Sequence, residues 1–207
     1  VATTTLAMGI ADMRKHNVAV RHLDAVETLG SVQVFCMDKT GTLTMNRMAV
    51  VSVYSGEKSY AVAAQQFLHN GAAINATDQL EELELKDIVS LCSDTEFHDI
   101  DGERQLTGSP TEMALLNMAL DAGVDVEALR QRHPRMRSRD RAEGRPYMTT
   151  LHPWKDGKHL LAVKGSPEEV LAMCKYQIRN GRRVQLSAKA RDAIIDENTR
   201  MAGDALR

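Results

Sequence analysis

Long apolar runs are missing from these 207 residues. None approaches the ~18 residues that a membrane-spanning helix needs. The stretch Val34 to Met37 is stopped at once by Asp38. An excess of one charge is missing too: 26 basic and 28 acidic residues leave a net charge of −2. That balance argues against nucleic acid, or an anionic membrane surface, as a partner held by bulk electrostatics. Cysteine is scarce and unpatterned. Cys36, Cys92 and Cys174 are odd in number and follow no metal-ligand spacing, so three reduced thiols in or near the core, in a cytosolic setting, are expected. There is no secretory signal with a charged start and a cleavage site, no internal repeat and no low-complexity tract. The chain opens on Val1-Ala2-Thr3 rather than Met, and we expect it to be a segment of something longer.

What is present is average in amount. Apolar residues make up 43% and charged residues 26%, as in ordinary globular domains. The length suits one large domain, or one domain and a piece of another, and allows a real core. Residues 1–16 read as the end of a helix. Ser31-Val32-Gln33-Val34-Phe35-Cys36 reads as a buried strand feeding a polar loop, the arrangement of an active-site loop in a parallel α/β sheet.

After about residue 46 the pattern changes. Ser55-Gly56, Asp101-Gly102, Asp156-Gly157 and Asn180-Gly181 are hairpin signals, with Tyr147–Leu151 and Leu160–Val163 as partners across the third. Residues 78–92 carry Leu80, Leu83, Ile88 and Leu91 at helical spacing. A helix from Pro110 is expected to bury Met113, Leu116 and Leu120. A last one from Ser187 is expected to place Ile194, Ile195, Met201, Ala202, Ala205 and Leu206 on one stripe. The fold class is therefore α+β: an antiparallel sheet flanked by helices over residues 47–207, preceded in residues 1–46 by a short stub of a parallel α/β domain.

One motif carries sharp chemistry. Asp38-Lys39-Thr40-Gly41-Thr42-Leu43-Thr44 follows the β-rich run directly. A carboxylate at a strand's end, in a loop rich in Gly and Thr, is a candidate nucleophile toward phosphorus. The loop supplies N–H groups and hydroxyls for phosphate oxygens, and Mg²⁺ would shield the approach of one anion to another. Elsewhere, Ser109-Pro110-Thr111-Glu112 and Ser166-Pro167-Glu168-Glu169 read as capped helix starts. Such starts also present free N–H groups to an anion.

Asp38 to Thr44 resembles the phosphorylation motif of cation-transporting P-type ATPases. Gly108-Ser109-Pro110-Thr111-Glu112-Met113-Ala114-Leu115 and Lys164-Gly165-Ser166-Pro167-Glu168 resemble two nucleotide-domain motifs of that family's type II branch. The run from Asn17 to Gly30 is similar to the family's link between a membrane helix and the phosphorylation domain. The resemblance implies that residues 1–46 end that linker and begin the phosphorylation domain, and that residues 47–207 are the nucleotide-binding domain. It implies ATP and Mg²⁺ as cofactors. Asp38 would accept the γ-phosphate, with Lys39 neutralising charge. Asp38 and the Thr40 carbonyl would hold the metal. Thr40, Thr111, Glu112, Arg145, Lys164, Gly165 and Arg207 would line the path of ATP, with Glu112 on the adenine amino group.

The implied partners are ATP, a transported cation bound in membrane helices, and the remaining phosphorylation, actuator and membrane domains of the same protein. The implied location is the cytoplasmic part of an integral plasma- or inner-membrane protein. This stretch alone is expected to bind ATP modestly and turn it over negligibly, because the family's Gly-Asp-Gly-x-x-Asn-Asp loop does not occur in it.

One departure stands out. Type II members place an adenine-stacking Phe in a Phe-x-Ser-x-Arg-Lys-x-Met pattern. Counting back from Met148, Arg145 fits the Arg, but Arg141 falls where the Phe belongs. Arg141 could itself stack, Met136 could substitute, or the Arg-rich run could be a solvated strand edge. That departure keeps open a non-catalytic binding module. A phosphatase or phosphotransferase of the haloacid-dehalogenase type with an inserted cap is the other alternative. Such enzymes carry a second Asp two residues after the first, as acid and base, whereas this chain has Thr40. His133-Pro134 reads as a helix-ending Pro with a surface His.

Overall fold

The computed structural model describes residues 2–22, 26, 28, 30–63, 65–74, 85–100, 103–204 and 206. The chain divides into two compact units, Val1–Asn46 and Arg47–Arg207. No helix among the described residues is long and apolar enough to cross a membrane.

The first unit opens with α1 (Ala2–Lys15), whose last turn carries Arg14 and Lys15, the sign of charge that a helix C-terminus favours. The expected strand at 31–36 does not form. Residues 32–38 have no regular structure and are exposed, with Val34 at 76% and Phe35 at 63%. A strand needs a neighbour to take its N–H and C=O groups, and no strand of this chain pairs with the run among the described residues. The parallel stub is therefore not observed. Cys36, expected near a core, is exposed with the rest of this run. Lys39–Leu43 then forms one wide, π-type helical turn, with a hydrogen bond from the Gly41 amide to Thr44 Oγ1 (3.2 Å).

Among its described residues the second unit contains four separate antiparallel sheets in place of the single sheet expected. Strands β1 (Ser52–Ser55), β2 (Lys58–Ala63), β3 (Gln66–His69) and β4 (Ala72–Ile74) form a meander. Its alternation is legible in the residues. Val53 pairs with Tyr60, Val62 with Phe67, and Phe67 with Ile74, so all five share one face. That face packs on Val89 of α2 (Leu85–Leu91) and on Met118, Ala119 and Ala122 of α3 (Pro110–Asp121) and its cap.

A second sheet joins β7 (Arg137–Arg139), β8 (Tyr147–Pro153) and β9 (His159–Gly165). Its inner face holds Met148 and Ala162 against Cys92 and Ile88 at the end of α2. Two hairpins complete the strands: β5 (Glu96–Ile100) with β6 (Glu103–Thr107), and β10 (Tyr176–Arg179) with β11 (Arg182–Gln185). Helix α4 (Val126–Arg132) packs beside α2. A third small core of Leu171, Leu186 and Ala190 joins α5 (Pro167–Met173) to α6 (Ala188–Gly203).

Strands pair across all four of the expected hairpin dipeptides; Asp101-Gly102 itself lies outside the described residues. The two-residue loops Gly56-Glu57, Asn70-Gly71 and Asn180-Gly181 have positive φ at both positions. That is the mirror-image turn whose twist matches paired strands, and it favours Asn and Gly.

Helices start at Pro110 and after Ser187 as expected, but their buried residues differ in part from the expected stripes. Leu80 and Leu83 lie outside the described residues. In α3 the buried residues are Ala114, Leu116, Met118 and Ala119. Leu116 is buried as expected, whereas Leu120 is exposed, because the helix meets the meander through Leu115, Met118, Ala119 and Ala122. In α6 Ala190 is buried and Ile194 packs beside it on the third core, while Met201 and, just past the helix, Leu206 are half-buried and Ile195 and Ala202 are exposed, so the expected stripe is covered only in part. Ala205 lies outside the described residues.

Candidate functional site

Helix α3 begins as its residues dictate. Ser109 has extended backbone and its side chain accepts from the Glu112 amide (3.3 Å), with Pro110 at the first helical position. At the other end, Val124 N donates to Ala119 O and Gly123 N to Leu120 O, a Schellman closure. Both termini are therefore fixed, and so is the angle at which Glu112 leaves the first turn.

The Glu112 carboxylate does not fold back on the Ser109 amide to complete a capping box. Oε1 receives Lys164 Nζ at 2.5 Å, and Oε2 receives the Asp94 amide at 3.2 Å. The ion pair is largely withdrawn from solvent, with side-chain exposures of 12% for Lys164 and 17% for Glu112. It brings together residues 52 positions apart. Lys164 arrives there because it pairs with Met148 across β8 and β9, which turns both to the inner face. Cys92 lies on this face as well. Burial pushes its thiol pKa up, while the nearby Lys164 charge acts in the opposite direction.

Gly165 is dictated by space. It pairs with Tyr147, and a Cβ at this position would lie 2.3 Å from Tyr147 Cβ and 2.5 Å from Pro146 O. Only hydrogen fits. The Ser166 amide then donates to Pro146 O (2.9 Å), which fixes the start of α5 against the head of β8. Ser166 caps less than its sequence suggests: its hydroxyl donates to Glu168 Oε2 (3.0 Å) and makes no bond to the helix backbone.

Arg145 stands just before β8, at the sheet end that carries Gly165. Residues 142–145 form a tight loop closed by hydrogen bonds between Ala142 and Arg145. Arg145 Nη2 donates to Asp140 O, and its Nε is buried with no hydrogen-bond partner among the described residues. The loop interrupts the strand period between Asp140 and Pro146, so spacing counted back from Met148 does not keep a residue on one face. Arg141 and Met136 are exposed, and β7 is an exposed edge strand pairing only with β8.

Thr111 sits half-buried beside Glu112 on the same turn. Asp38 is exposed at the head of the Lys39–Leu43 turn, in the other unit. The side chains of Lys39 and Thr40, and all of Arg207, lie outside the described residues. Among the described residues no group of three or more His, Cys, Asp or Glu could hold a metal ion.

Two features escaped the sequence reading. Asp94 lies 18 residues from Glu112, and no local pattern links them. His133, read as a surface residue, caps α4 as expected but is only 8% exposed. Its Nδ1 is 2.8 Å from Pro153 O and its ring packs on Trp154 at 4.3 Å.

Residues 82–207, which hold this arrangement, match the family model described as P-type ATPase, cytoplasmic domain N. The chain belongs to the P-type ATPase family. Among curated relatives it is 33% identical over 207 residues to calcium-transporting ATPase 1 of Bacillus cereus, covering all of this chain and 22% of that protein. It is 37% identical over 191 residues to cation-transporting ATPase pma1 of Synechocystis, covering 86% of this chain and 21% of the relative. A similar match, 36% over 180 residues, is to a probable cation-transporting ATPase F of Mycobacterium bovis, covering 83% of this chain and 20% of that protein. The chain thus spans about a fifth of the length of these relatives.

Proposed function

We propose that this chain is the ATP-binding portion of a cation-transporting P-type ATPase, with Asp38 as the phosphoryl acceptor. The observation that carries the reading is the Glu112–Lys164 pair, largely buried at the start of α3 within the N-domain match. A carboxylate held this way can accept from the exocyclic amine of adenine. Lys164, displaced from its 2.5 Å contact, then turns its charge toward the ribose or phosphates. Arg145 Nε, a buried N–H without a partner among the described residues, has a donor to offer an incoming oxygen. Thr111 and Gly165 shape the walls, and Arg207 adds a charge for the phosphates.

Residues 1–46 form the linker and the beginning of the phosphorylation domain. The 32–38 run becomes a strand when parallel neighbours in the parent protein pair with it. Domain closure brings the γ-phosphate to Asp38, with Lys39 offsetting the charge. Thr40 stands where a phosphatase carries its second carboxylate, so no adjacent base activates water and the acyl phosphate persists. Mg²⁺ would be held by the Asp38 carboxylate and the Thr40 carbonyl, two hard oxygens that suit it. Its other ligands come from water and the phosphates, and when bound it neutralises charge on the transferring group. The parent spans a membrane, with this portion on the cytoplasmic side and the cation sites in its membrane helices.

Calorimetric and NMR titration with ATP tests the reading. Saturable shifts centred on Glu112 and Lys164 are expected. No saturable change at millimolar ATP would overturn it and leave a binding module of another kind.

A further inference from the structure

A pocket of about 370 Å³ opens between α4, β8 and the segment following α2, and neither Glu112 nor Lys164 lines it. Its size is in the range of small-molecule sites and well above what one water needs. Its walls include Arg130, Arg135, His133 and His152, with Asp94 and Glu96 beside them.

His152 sets the chemistry. The residue is 2% exposed, and its Nδ1 lies 2.8 Å from the His133 carbonyl oxygen. A carbonyl only accepts, so Nδ1 carries the proton and Nε2 of the neutral ring is an acceptor. That Nε2 is buried with no hydrogen-bond partner among the described residues. Burial, before any other cause, holds the ring's pKa below the ordinary His value, with the Arg135 charge acting in the same sense. A buried acceptor left unmatched is costly, and this one calls for a donor.

The two guanidinium groups call for an anion. Arg130 donates Nε to Ser90 O, Nη1 to Thr95 O and Nη2 to Ser93 O. Arg135 donates Nη1 to Asp94 Oδ1 at 2.5 Å, and Nη2 to Ser93 O. Each guanidinium has five N–H groups, so these bonds exhaust neither. The two cations also repel: Arg130 is lowered from its ordinary pKa, first by burial and then by Arg135. The pocket therefore suits a ligand that is negatively charged and still has a proton to give.

We propose that this pocket binds inorganic phosphate as its monohydrogen dianion, with Arg130 and Arg135 donating to its oxygens and its hydroxyl donating to His152 Nε2. Sulfate matches the dianion in shape and charge but has no proton. A phosphate monoester at pH 8 also lacks one. Both leave the acceptor unmatched, and such a site rejects them. The site is distinct from the nucleotide pocket, although Asp94 touches both, its side chain on Arg135 and its amide on Glu112.

The test is a titration of the 207-residue chain at pH 8 and constant ionic strength with inorganic phosphate, sulfate or methyl phosphate. The readouts are backbone amide shifts and the His152 ring ¹⁵N signals. Saturable shifts from phosphate are expected at Asp94, Thr95 and Glu96 and at His152 Nε2, with the other two anions at least about tenfold weaker. Equal shifts from sulfate or methyl phosphate would show a general anion site and overturn the proposal. So would the absence of saturation, which leaves ordered water as the occupant, or shifts confined to Glu112 and Lys164. Arg135→Met should weaken phosphate by about tenfold or more. If that variant does not fold, the comparison of anions on the unaltered chain still decides. Because that comparison does not involve ATP, its outcome is separate from that of the nucleotide titration.

Discussion

Phe35 and Phe67 are the same side chain in two kinds of surroundings. Phe35 lies in the first unit, 63% exposed, in the run that leads to Asp38. Phe67 lies in β3 of the second unit, 1% exposed, against Tyr60, Val89 and Met118. The first unit holds the most specific motif of the chain, yet the described residues that lead into it, 31–38, are all exposed. The second holds blunter motifs on a packed frame. A motif's specificity and the stability of its setting are separate properties. Seven residues can carry a motif by themselves, whereas a strand exists only when its partners do.

The largest effect that tests this contrast is a truncation in each unit. Phe67→Ala should cost about 3–5 kcal/mol in urea denaturation. Phe35→Ala should change stability by less than about 0.5 kcal/mol. Equal losses would mean that the first unit is packed after all.

Next is the charge at the site. Glu112→Gln leaves the Lys164 ammonium short of its carboxylate and should cost about 1–3 kcal/mol. In calorimetry the same change should weaken ATP by about tenfold or more. Asp38→Asn should leave both quantities unchanged in this chain. A drop in ATP affinity from Asp38→Asn would place part of the binding in the first unit.

A finer contrast lies within the second unit. Ser109→Ala should cost about 1 kcal/mol, as the loss of a helix cap does. Ser166→Ala should cost less than about 0.5 kcal/mol, because its hydroxyl bonds a side chain and not the helix backbone. Thermal melts that rank them the other way would refute the capping assignment.

The smallest effect is in pH. His152 titrates near its ordinary value of 6.5 when unfolded and lower when folded. Between those values the unfolded chain holds more protons, so stability falls as pH drops below about 6.5 and is complete above it. His152→Gln should flatten the change in urea midpoint between pH 7.5 and 5.5. An unchanged slope in that variant would assign the dependence to other groups.

Turns were the most legible feature. Ser55-Gly56 and Asn180-Gly181 announce their hairpins because backbone with positive φ admits few residues. The capping residues around Pro110 and Pro167 placed two helix starts for a similar local reason. The orientation of helices was legible only in part: Leu116 is buried as expected, but α3 meets the meander through Met118, Ala119 and Ala122 and not through Met113 or Leu120, because the meander opposite decides which face is covered. His133 looked like surface because nothing in its neighbourhood announces the Pro153 carbonyl and Trp154 ring, 20 and 21 residues away. At the candidate site, Glu112, Lys164 and Gly165 were legible as motif members. The contact of Glu112 with Lys164 was not, since it depends on the register of β8 against β9. The Asp94 amide had no sequence signal, because any residue other than proline supplies an N–H.

That register has a further consequence, for folding. A one-residue slip of β9 would carry Lys164 to the outer face, away from Glu112. It would also bring a residue with a side chain opposite Tyr147, where the present spacing leaves room for hydrogen alone. Gly165 thus acts as a proofreading element of the hairpin. The misaligned chain is penalised sterically at the same step that would have broken the ion pair, so chains that complete the sheet also complete the site.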